Sequence, residues 1–178
     1  MSRLNNVTPE QATGELADTY GAIKKQMGGV VNLFQALGNN PNSLTAYLQI
    51  GGLLKSSGLS GVDLETISLV SAHTNGCEYC ESAHTALGKM AGMKPEEILS
   101  VRRGVGLDPK SKALVQFVKE VVSERGHVSN ETFNALKLAG YNDSQVTAIF
   151  LSVAQNIFSN YFNNFNGTVT DFPKIEKV

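Results

Sequence analysis

The two cysteines of this chain lie three positions apart in the segment NGCEYCESAH, and a histidine follows four positions after the second cysteine. These residues are Cys77, Cys80 and His84. Two thiols at this spacing can cycle between a dithiol and a disulfide, supply half of a metal site, or pack in a core as small apolar groups. The residue types alone leave all three possibilities open.

A helix through this segment would bring both thiols and the imidazole onto one face. At about 100° per residue, Cys77, Cys80 and His84 fall within a sector of about 60°. We expect Asn75 to cap this helix, which places Cys77 in its first turn. The opposite face then carries side chains that are expected to meet solvent: Glu78, Ser82, Thr85 and Lys89. The reactive groups should therefore lie toward the core.

A single carboxylate is present in the preceding segment LETISLVSAH, residues 64–73. This segment is apolar or small around most of its circumference, which predicts a mostly buried helix. Burying Glu65 without a partner would be costly, and His84 on the next helix is the economical candidate. The sequence therefore predicts that Glu65 pairs with His84 and is suited to proton transfer.

Each of these residues also has a structural interpretation. Buried free cysteines pack well, and a single histidine on an apolar stripe is more often a hydrogen-bonded core residue than a catalyst. An acid near a helix start, such as Glu65, can simply favour the helix dipole. Cys77, Cys80 and His84 could instead bind zinc with Glu65 as a fourth ligand, although three ligands on one helical face are crowded.

The rest of the chain must form the elements that position these residues. Apolar residues recur at three- and four-residue spacing, and no segment alternates polar and apolar residues for long enough to suggest a strand, which predicts an all-α fold. Prolines in a first turn mark helix starts at Pro9, Pro41 and Pro95, and glycines follow the periodic segments. We predict nine helices, near residues 9–27, 31–38, 41–57, 62–74, 76–91, 95–103, 109–125, 130–139 and 143–165.

Composition favours a single domain over residues 1–178, because a chain of this length with 42% hydrophobic residues can form one core and is too short to need two. A net charge of −1 without a basic stripe argues against nucleic acid as a partner. No signal peptide or membrane span is apparent, so we expect a soluble, cytoplasmic protein that does not bind membranes. In that compartment a cysteine pair is more often redox-active, catalytic or metal-binding than a permanent crosslink.

Taken together, Glu65, Cys77, Cys80 and His84 follow the pattern E-x11-C-x-x-C-x3-H. This pattern resembles the signature of the AhpD-like alkylhydroperoxidases, which belong to the carboxymuconolactone decarboxylase superfamily. The segments NLFQALGNNPNSLTAYL and FNGTVTDFP are also similar to the peroxidase-related branch of that family, so the resemblance covers most of the chain. One position departs from the family, because Tyr79 stands directly before the second cysteine, where AhpD often has a histidine.

The resemblance implies an AhpD-like helical bundle that reduces alkyl or hydrogen peroxide with electrons from a thiol reductant, without a cofactor or metal. It implies that Cys80 is the peroxidatic thiolate, that Cys77 resolves its sulfenic acid into a disulfide, and that Glu65 and His84 move protons. It also implies a homo-oligomer, a trimer or a hexamer, for which the aromatic-rich last helix offers a surface. The helix dipole opposes part of this assignment, since it favours a thiolate at Cys77 in the first turn.

Two other functions stay open. A disulfide reductase or redox partner protein could use the same cysteine cycle without meeting peroxide, and a non-enzymatic helical bundle could bind zinc. Decarboxylase activity is not suggested by a redox cysteine pair.

Overall fold

Nine helices and no strand form in residues 2–178, the part of the chain that the computed structural model describes. The prediction of an all-α fold is confirmed. Each helix after the first begins within two residues of its predicted start. The helices are α1 (Gly14–Met27), α2 (Asn32–Leu37), α3 (Pro41–Leu54), α4 (Gly61–Thr74), α5 (Glu78–Met90), α6 (Pro95–Arg102), α7 (Pro109–Ser123), α8 (Asn130–Leu138) and α9 (Asp143–Asn166).

The first helix is shorter than the predicted range 9–27, because a separate turn precedes it. The N–H groups of Gln11 and Ala12 both donate to the carbonyl of Thr8 at 3.0 Å, and the Gln11 side chain accepts from the Thr8 N–H at 3.0 Å. These bonds close the turn around Pro9. Gly14 then adopts a left-handed φ of 55°, and the helix begins there.

Helix α4 lies at the centre of the molecule and packs against α5, α6, α7 and α9. Eight of its fourteen residues are buried, which confirms the prediction of a mostly buried helix. The Ser60 side chain caps its start, accepting from the N–H of Asp63 at 3.0 Å, while the Asp63 carboxylate accepts from the Ser60 N–H at 3.0 Å. This reciprocal pair satisfies backbone groups that would otherwise lack partners.

Two clusters of buried apolar side chains form the interior. The first joins α4 to α6, α7, α8 and α9, and Ile67, Phe117 and Ile149 lie fully inside it. The second joins α1, α2 and α3 to the start of α5, and it contains Cys77 and Cys80. The cysteines therefore lie in a packed apolar setting. The assignment of residues 1–178 to one domain stays a prediction.

The chain after α9 runs over α2 and α5 without regular structure. The Asp171 carboxylate accepts hydrogen bonds from the Asn32 N–H at 2.6 Å and from the Tyr79 hydroxyl at 2.9 Å. The Phe172 ring meets the Tyr79 ring edge-on, with centroids 5.7 Å apart. These contacts fix the segment over the helix that carries the cysteines. None of the helices in residues 2–178 combines the length and apolar character needed to cross a membrane.

Candidate active site

The cysteine pair lies at the junction of α4 and α5, and Cys77 itself caps α5. Its sulfur accepts the N–H of Cys80 at 3.3 Å, and its own N–H donates to the carbonyl of Ala72 at 2.8 Å. The prediction that Asn75 caps the start of α5 is wrong, because Asn75 ends α4 and Gly76 follows it with a φ of 62°. Cys77 consequently lies one position before the first turn of α5, and its sulfur is at the positive end of the helix dipole.

A disulfide joins Cys77 to Cys80, with their Cα atoms 5.3 Å apart, which is within the range that disulfides span. Both residues are buried, with exposures of 1% and 3%. The oxidised pair therefore fits inside the fold. Any reaction partner of these sulfurs must be small or must approach through the groups that surround them.

Glu65 and His84 pair as the sequence predicts. The Nδ1 of His84 lies 2.8 Å from Oε2 of Glu65, and both side chains are slightly exposed, by 17% and 18%. An ionised carboxylate only accepts hydrogen bonds, so Nδ1 donates the proton of this bond, and in the neutral imidazole Nε2 is left as an acceptor. The contact between α4 and α5 brings the pair together, and His84 lies one helical turn beyond Cys80.

The structure thus brings all four predicted residues to one place. Glu65 bonds to His84, His84 follows Cys80 on the same helix, and Cys80 is bonded to Cys77. The predicted solvent-facing side of α5 is partly wrong, because Ser82 is only 2% exposed. Helices α4, α6 and α9 all pack on α5 and cover more of its circumference than one apolar stripe would indicate.

Asn163 on α9 is a member of the site that the sequence analysis missed. Its amide Nδ2 donates to the sulfur of Cys80 at 3.3 Å, and the residue is 3% exposed. The signal was present in the sequence, because α9 carries Ser and Asn at helical spacing: Ser152, Asn156, Ser159, Asn160, Asn163 and Asn166. All six are buried, so the inward face of this helix is polar from Asn156 onward.

Tyr47 on α3 is close enough to Glu65 for the carboxylate charge to affect the pKa of its hydroxyl. Burial raises the pKa of Tyr47, the nearby Glu65 carboxylate raises this pKa further, and a hydrogen bond with Ser159 opposes the shift. The hydroxyl therefore stays protonated near neutral pH. Tyr47 is therefore not a base near neutral pH.

Tyr79, between the two cysteines, has a structural role in this arrangement. Burial, followed by the charge of Asp171, raises the pKa of Tyr79 well above its ordinary value, while a bond from the Leu33 N–H partly offsets the increase. Its hydroxyl is held by Leu33 and Asp171 at 3.3 and 2.9 Å. A phenol in this state does not accept a proton near neutral pH, so Tyr79 does not replace a histidine in a proton relay.

A second histidine–carboxylate pair lies on the other side of the junction. The Nδ1 of His73 is 2.7 Å from Oε1 of Glu81, whose Oε2 lies 3.7 Å from the buried Arg102 guanidinium. A cavity of about 260 Å³ opens beside them, under residues 175–178. None of the four predicted site residues lines this cavity.

The proposed zinc ligands do not form a recognisable metal site. Within residues 2–178, no three side chains of His, Cys, Asp or Glu converge in an arrangement that could hold a metal ion. The two sulfurs, which would have to bind zinc as thiolates, are bonded to each other.

Residues 41–121 match the carboxymuconolactone decarboxylase family, and this segment contains all four predicted site residues. No curated protein matches the chain. Among solved structures, the chain is similar to the AhpD core of an uncharacterized peroxidase-related protein from Ralstonia eutropha JMP134. The two share 23% identity over 96% of this chain and 92% of the other, with a TM-score of 0.86.

Two further structures have the same fold. An uncharacterized peroxidase-related protein from Silicibacter sp. TM1040 is 19% identical over 95% of this chain and 94% of its own, with a TM-score of 0.79. The debrominase Bmp8, as a cysteine-to-alanine variant in complex with 2,3,4-tribromopyrrole, is 17% identical over 96% and 94% of the two chains, with a TM-score of 0.80. Residues 41–121 thus resemble the carboxymuconolactone decarboxylase family, and the chain shares the fold of the AhpD core.

Proposed function

We propose that this chain is a thiol-dependent peroxidase that reduces hydrogen peroxide or alkyl hydroperoxides through a cycle between the Cys77–Cys80 dithiol and disulfide. The observation that carries the proposal is the 2.8 Å hydrogen bond between Glu65 on α4 and His84 on α5. The disulfide between Cys77 and Cys80 lies at the start of that same helix α5. Two of the solved structures with the same fold are named as peroxidase-related proteins, which supports the same class of reaction.

The cycle begins with His84 as a general base. Its Nε2, left free by the bond to Glu65, accepts the proton of Cys80 directly or through a water molecule, because residues four apart on a helix are neighbours. The Cys80 thiolate attacks the terminal oxygen of the hydroperoxide, and the O–O bond breaks. The departing oxygen takes the proton from His84 and leaves as an alcohol or water, while Cys80 becomes a sulfenic acid.

Cys77 completes the cycle by attacking the sulfur of the sulfenic acid. The S–O bond breaks, the oxygen leaves as water with the proton of the Cys77 thiol, and the disulfide forms. Each peroxide therefore takes two electrons from the two thiols. A thiol reductant of the cell must return these two electrons, and we place the protein in the cytoplasm, where such reductants are abundant.

Glu65 holds the imidazole of His84 in one tautomer and stabilises it once it is protonated. We assign the peroxidatic role to Cys80 because it lies nearest to this base along the helix. The position of Cys77 at the helix end favours a thiolate there as well, which suits a thiol that must attack in the second step.

We also propose that the chain acts as a homo-oligomer, a trimer or a hexamer. The outward face of α9 is apolar, and the side chains of Phe158, Tyr161 and Phe165 are 42–59% exposed. A surface of this kind on a helix with a single charged residue, Asp143, is typical of a subunit contact.

A disulfide reductase that never meets peroxide is the second candidate. It is favoured by the cap position of Cys77, whose sulfur receives an N–H at the helix end as the nucleophile of a dithiol exchange would. The two candidates differ in whether the chain consumes peroxide.

Steady-state consumption of hydrogen peroxide and an alkyl hydroperoxide, with dithiothreitol, thioredoxin or dihydrolipoamide as the reductant, tests the proposal. We expect turnover by the wild type and none by Cys80→Ser. Cys77→Ser should form one sulfenic acid per chain, trapped with dimedone, and then stop. An adduct in Cys80→Ser but not in Cys77→Ser would exchange the two roles. A wild type that reduces protein disulfides and consumes no peroxide would favour the reductase.

A further inference from the structure

The two sulfurs of the site receive hydrogen bonds of different origin. Cys77 accepts from the main-chain N–H of Cys80, which any non-proline residue at that position would supply. Cys80 accepts from the side chain of Asn163, which only a polar residue at that position of α9 can supply. Asn163 is therefore a side chain placed specifically against one sulfur.

The orientation of this amide is set by chemistry. A thiolate or disulfide sulfur has no proton to donate, so the amide nitrogen must face it, and the amide oxygen must point elsewhere. That oxygen, Oδ1 of Asn163, is buried and has no hydrogen-bond partner among residues 2–178. A buried acceptor without a donor is costly, which points to a ligand that supplies one.

Neighbouring buried polar atoms are in the same condition. Nδ2 of Asn160, one turn earlier on the same face of α9, and Oγ of Ser71 on α4 also lack partners within the described residues. Asn156 provides a contrast two turns away, because its amide donates to Ser68 at 3.1 Å and to the Ser152 carbonyl at 2.9 Å. Two of the buried atoms without partners therefore lie one turn apart on α9, and one of them belongs to the amide that contacts Cys80.

This inference rests on the proposed function and deepens it. We infer that Asn163 is a further functional residue of the peroxidase reaction, whose amide nitrogen holds Cys80 as a thiolate and whose amide oxygen binds the O–H of the hydroperoxide. A hydrogen bond to a charged sulfur is stronger than one to a neutral sulfur, so the donor favours the thiolate form.

The same amide then positions the oxygen that is attacked. The terminal oxygen of R–O–O–H carries the proton, donates it in a hydrogen bond to Oδ1 and lies beside the sulfur. As the S–O bond forms, the O–O bond breaks, and its electron pair leaves with the other oxygen, which takes the proton from His84. The product Cys80–S–O–H keeps its hydrogen bond to Asn163.

The thiolate half of the inference is tested without peroxide. In a Cys77→Ser background Cys80 is the remaining thiol, and the pH dependence of its alkylation by iodoacetamide gives its pKa. We expect Asn163→Ala and the similarly sized Asn163→Leu to raise this pKa by about one to two units. Asn156→Ala, a buried asparagine on the same face that touches no sulfur, should leave it unchanged. An unchanged pKa in both folded Asn163 variants would overturn this half.

The peroxide half is tested above the pKa of every variant, where the thiolate is fully formed. The rate of sulfenic acid formation in the Cys77→Ser background should fall about tenfold in both Asn163 variants, because one hydrogen bond to the attacked oxygen is lost. A rate equal to that of the parent would overturn this half. A parent that forms no sulfenic acid would remove the proposed function and this half with it, while the pKa comparison would still decide whether Asn163 holds the thiolate.

Discussion

The imidazole of His84 has one ring nitrogen committed to Glu65 and one left for chemistry. A histidine in this state can take a proton and hold it, because the carboxylate stabilises the positive charge that results. If Glu65 only favoured the helix dipole, it would not need to face an imidazole 2.8 Å away. The pair is therefore the first place to test the mechanism.

Replacing Glu65 by Gln keeps the shape of the side chain but removes the charge that supports a protonated His84. We expect the peroxidase rate near neutral pH to fall by about 10²- to 10⁴-fold, the range typical of general acid–base groups, with the fold intact. Peroxide kinetics, thermal unfolding and the pH dependence of alkylation at Cys80 measure the three effects.

Glu81→Gln is the matched control for this substitution. Glu81 also bonds to a histidine, His73, at 2.7 Å, but His73 lies on α4, whereas His84 follows Cys80 by one turn on α5. The control should retain most of the rate. An unchanged rate together with an unshifted Cys80 pKa in Glu65→Gln would leave Glu65 with a structural role, worth about 0.3–1 kcal/mol through the helix dipole.

At the residue scale, the sequence was sufficient for Glu65 and His84 because one local argument connects them. Glu65 is the single carboxylate of residues 64–73 and needs a partner there, and the next helix offers one histidine at the right face. Asn163 could not be assigned in this way, because it lies 83 positions from Cys80 and meets it through the packing of α9 on α5. Long-range contacts of this kind depend on the packing of the whole chain.

At the scale of helices, the α4–α5 junction shows why local cap rules were insufficient. Asn75 is a good helix cap in isolation. In the structure its side chain donates to Asn160 at 2.9 Å, and its carbonyl accepts from Asn164 at 2.9 Å. These contacts with α9 hold Asn75 at the end of α4, so Cys77 and not Asn75 caps the start of α5. Proline signals succeeded at α3 and α6 because they act within a single turn.

The start of α4 holds a buried carboxylate that links two distant elements. Asp63 accepts from the Tyr141 hydroxyl at 2.6 Å and from the Ser60 side chain at 2.7 Å. Burial on its own would raise the pKa of Asp63, but the bonds from Tyr141 and Ser60 outweigh it, and the net pKa is below the ordinary value. Folding therefore favours the ionised form of the Asp63 carboxyl group.

This lowered pKa predicts a specific acid sensitivity. Its stabilisation is fully present above the unfolded carboxyl pKa of about 3.9 and is lost as the pH falls through the lower folded value. Asp63→Asn should lose about 1–3 kcal/mol at neutral pH, and its deficit relative to the wild type should shrink below about pH 4. Urea unfolding between pH 7 and pH 3 measures both effects. Asp18→Asn, at an exposed side chain of α1, is the control, and a pH-independent deficit in Asp63→Asn would contradict the linkage.

At the scale of the whole molecule, helix α9 has the reverse of an ordinary amphipathic pattern. From Asn156 onward its buried face is lined by asparagine and serine, one of which contacts the sulfur of Cys80, while aromatic side chains face outward. The aromatic-rich last helix was expected to offer a surface for subunit contact, and the exposed fraction of each side chain shows which aromatics could serve it. Hydrophobic periodicity alone could not do so, because it identifies a stripe without saying what covers it.

The outward stripe of α9 has the spacing of a helix–helix seam. Leu151, Ala154, Phe158, Tyr161 and Phe165 recur at alternating intervals of three and four residues, and all are exposed. This is the repeat that lets one helix pack against another, and no charge interrupts it. A second copy of the chain would supply the matching surface, which is how the proposed trimer or hexamer would bury these side chains.

Tyr161→Glu tests this seam, because a charge at a side chain 59% exposed costs little in a free chain and much in a packed contact. Light scattering of the wild type should give three or six times the chain mass of 19.1 kDa, and the variant should shift toward a single chain. Leu138→Glu is the control, since Leu138 is 89% exposed on α8 and lies outside the stripe. A wild type at the mass of one chain, or a Tyr161→Glu protein that keeps the full assembly while Leu138→Glu breaks it, would place the subunit contact elsewhere or remove it.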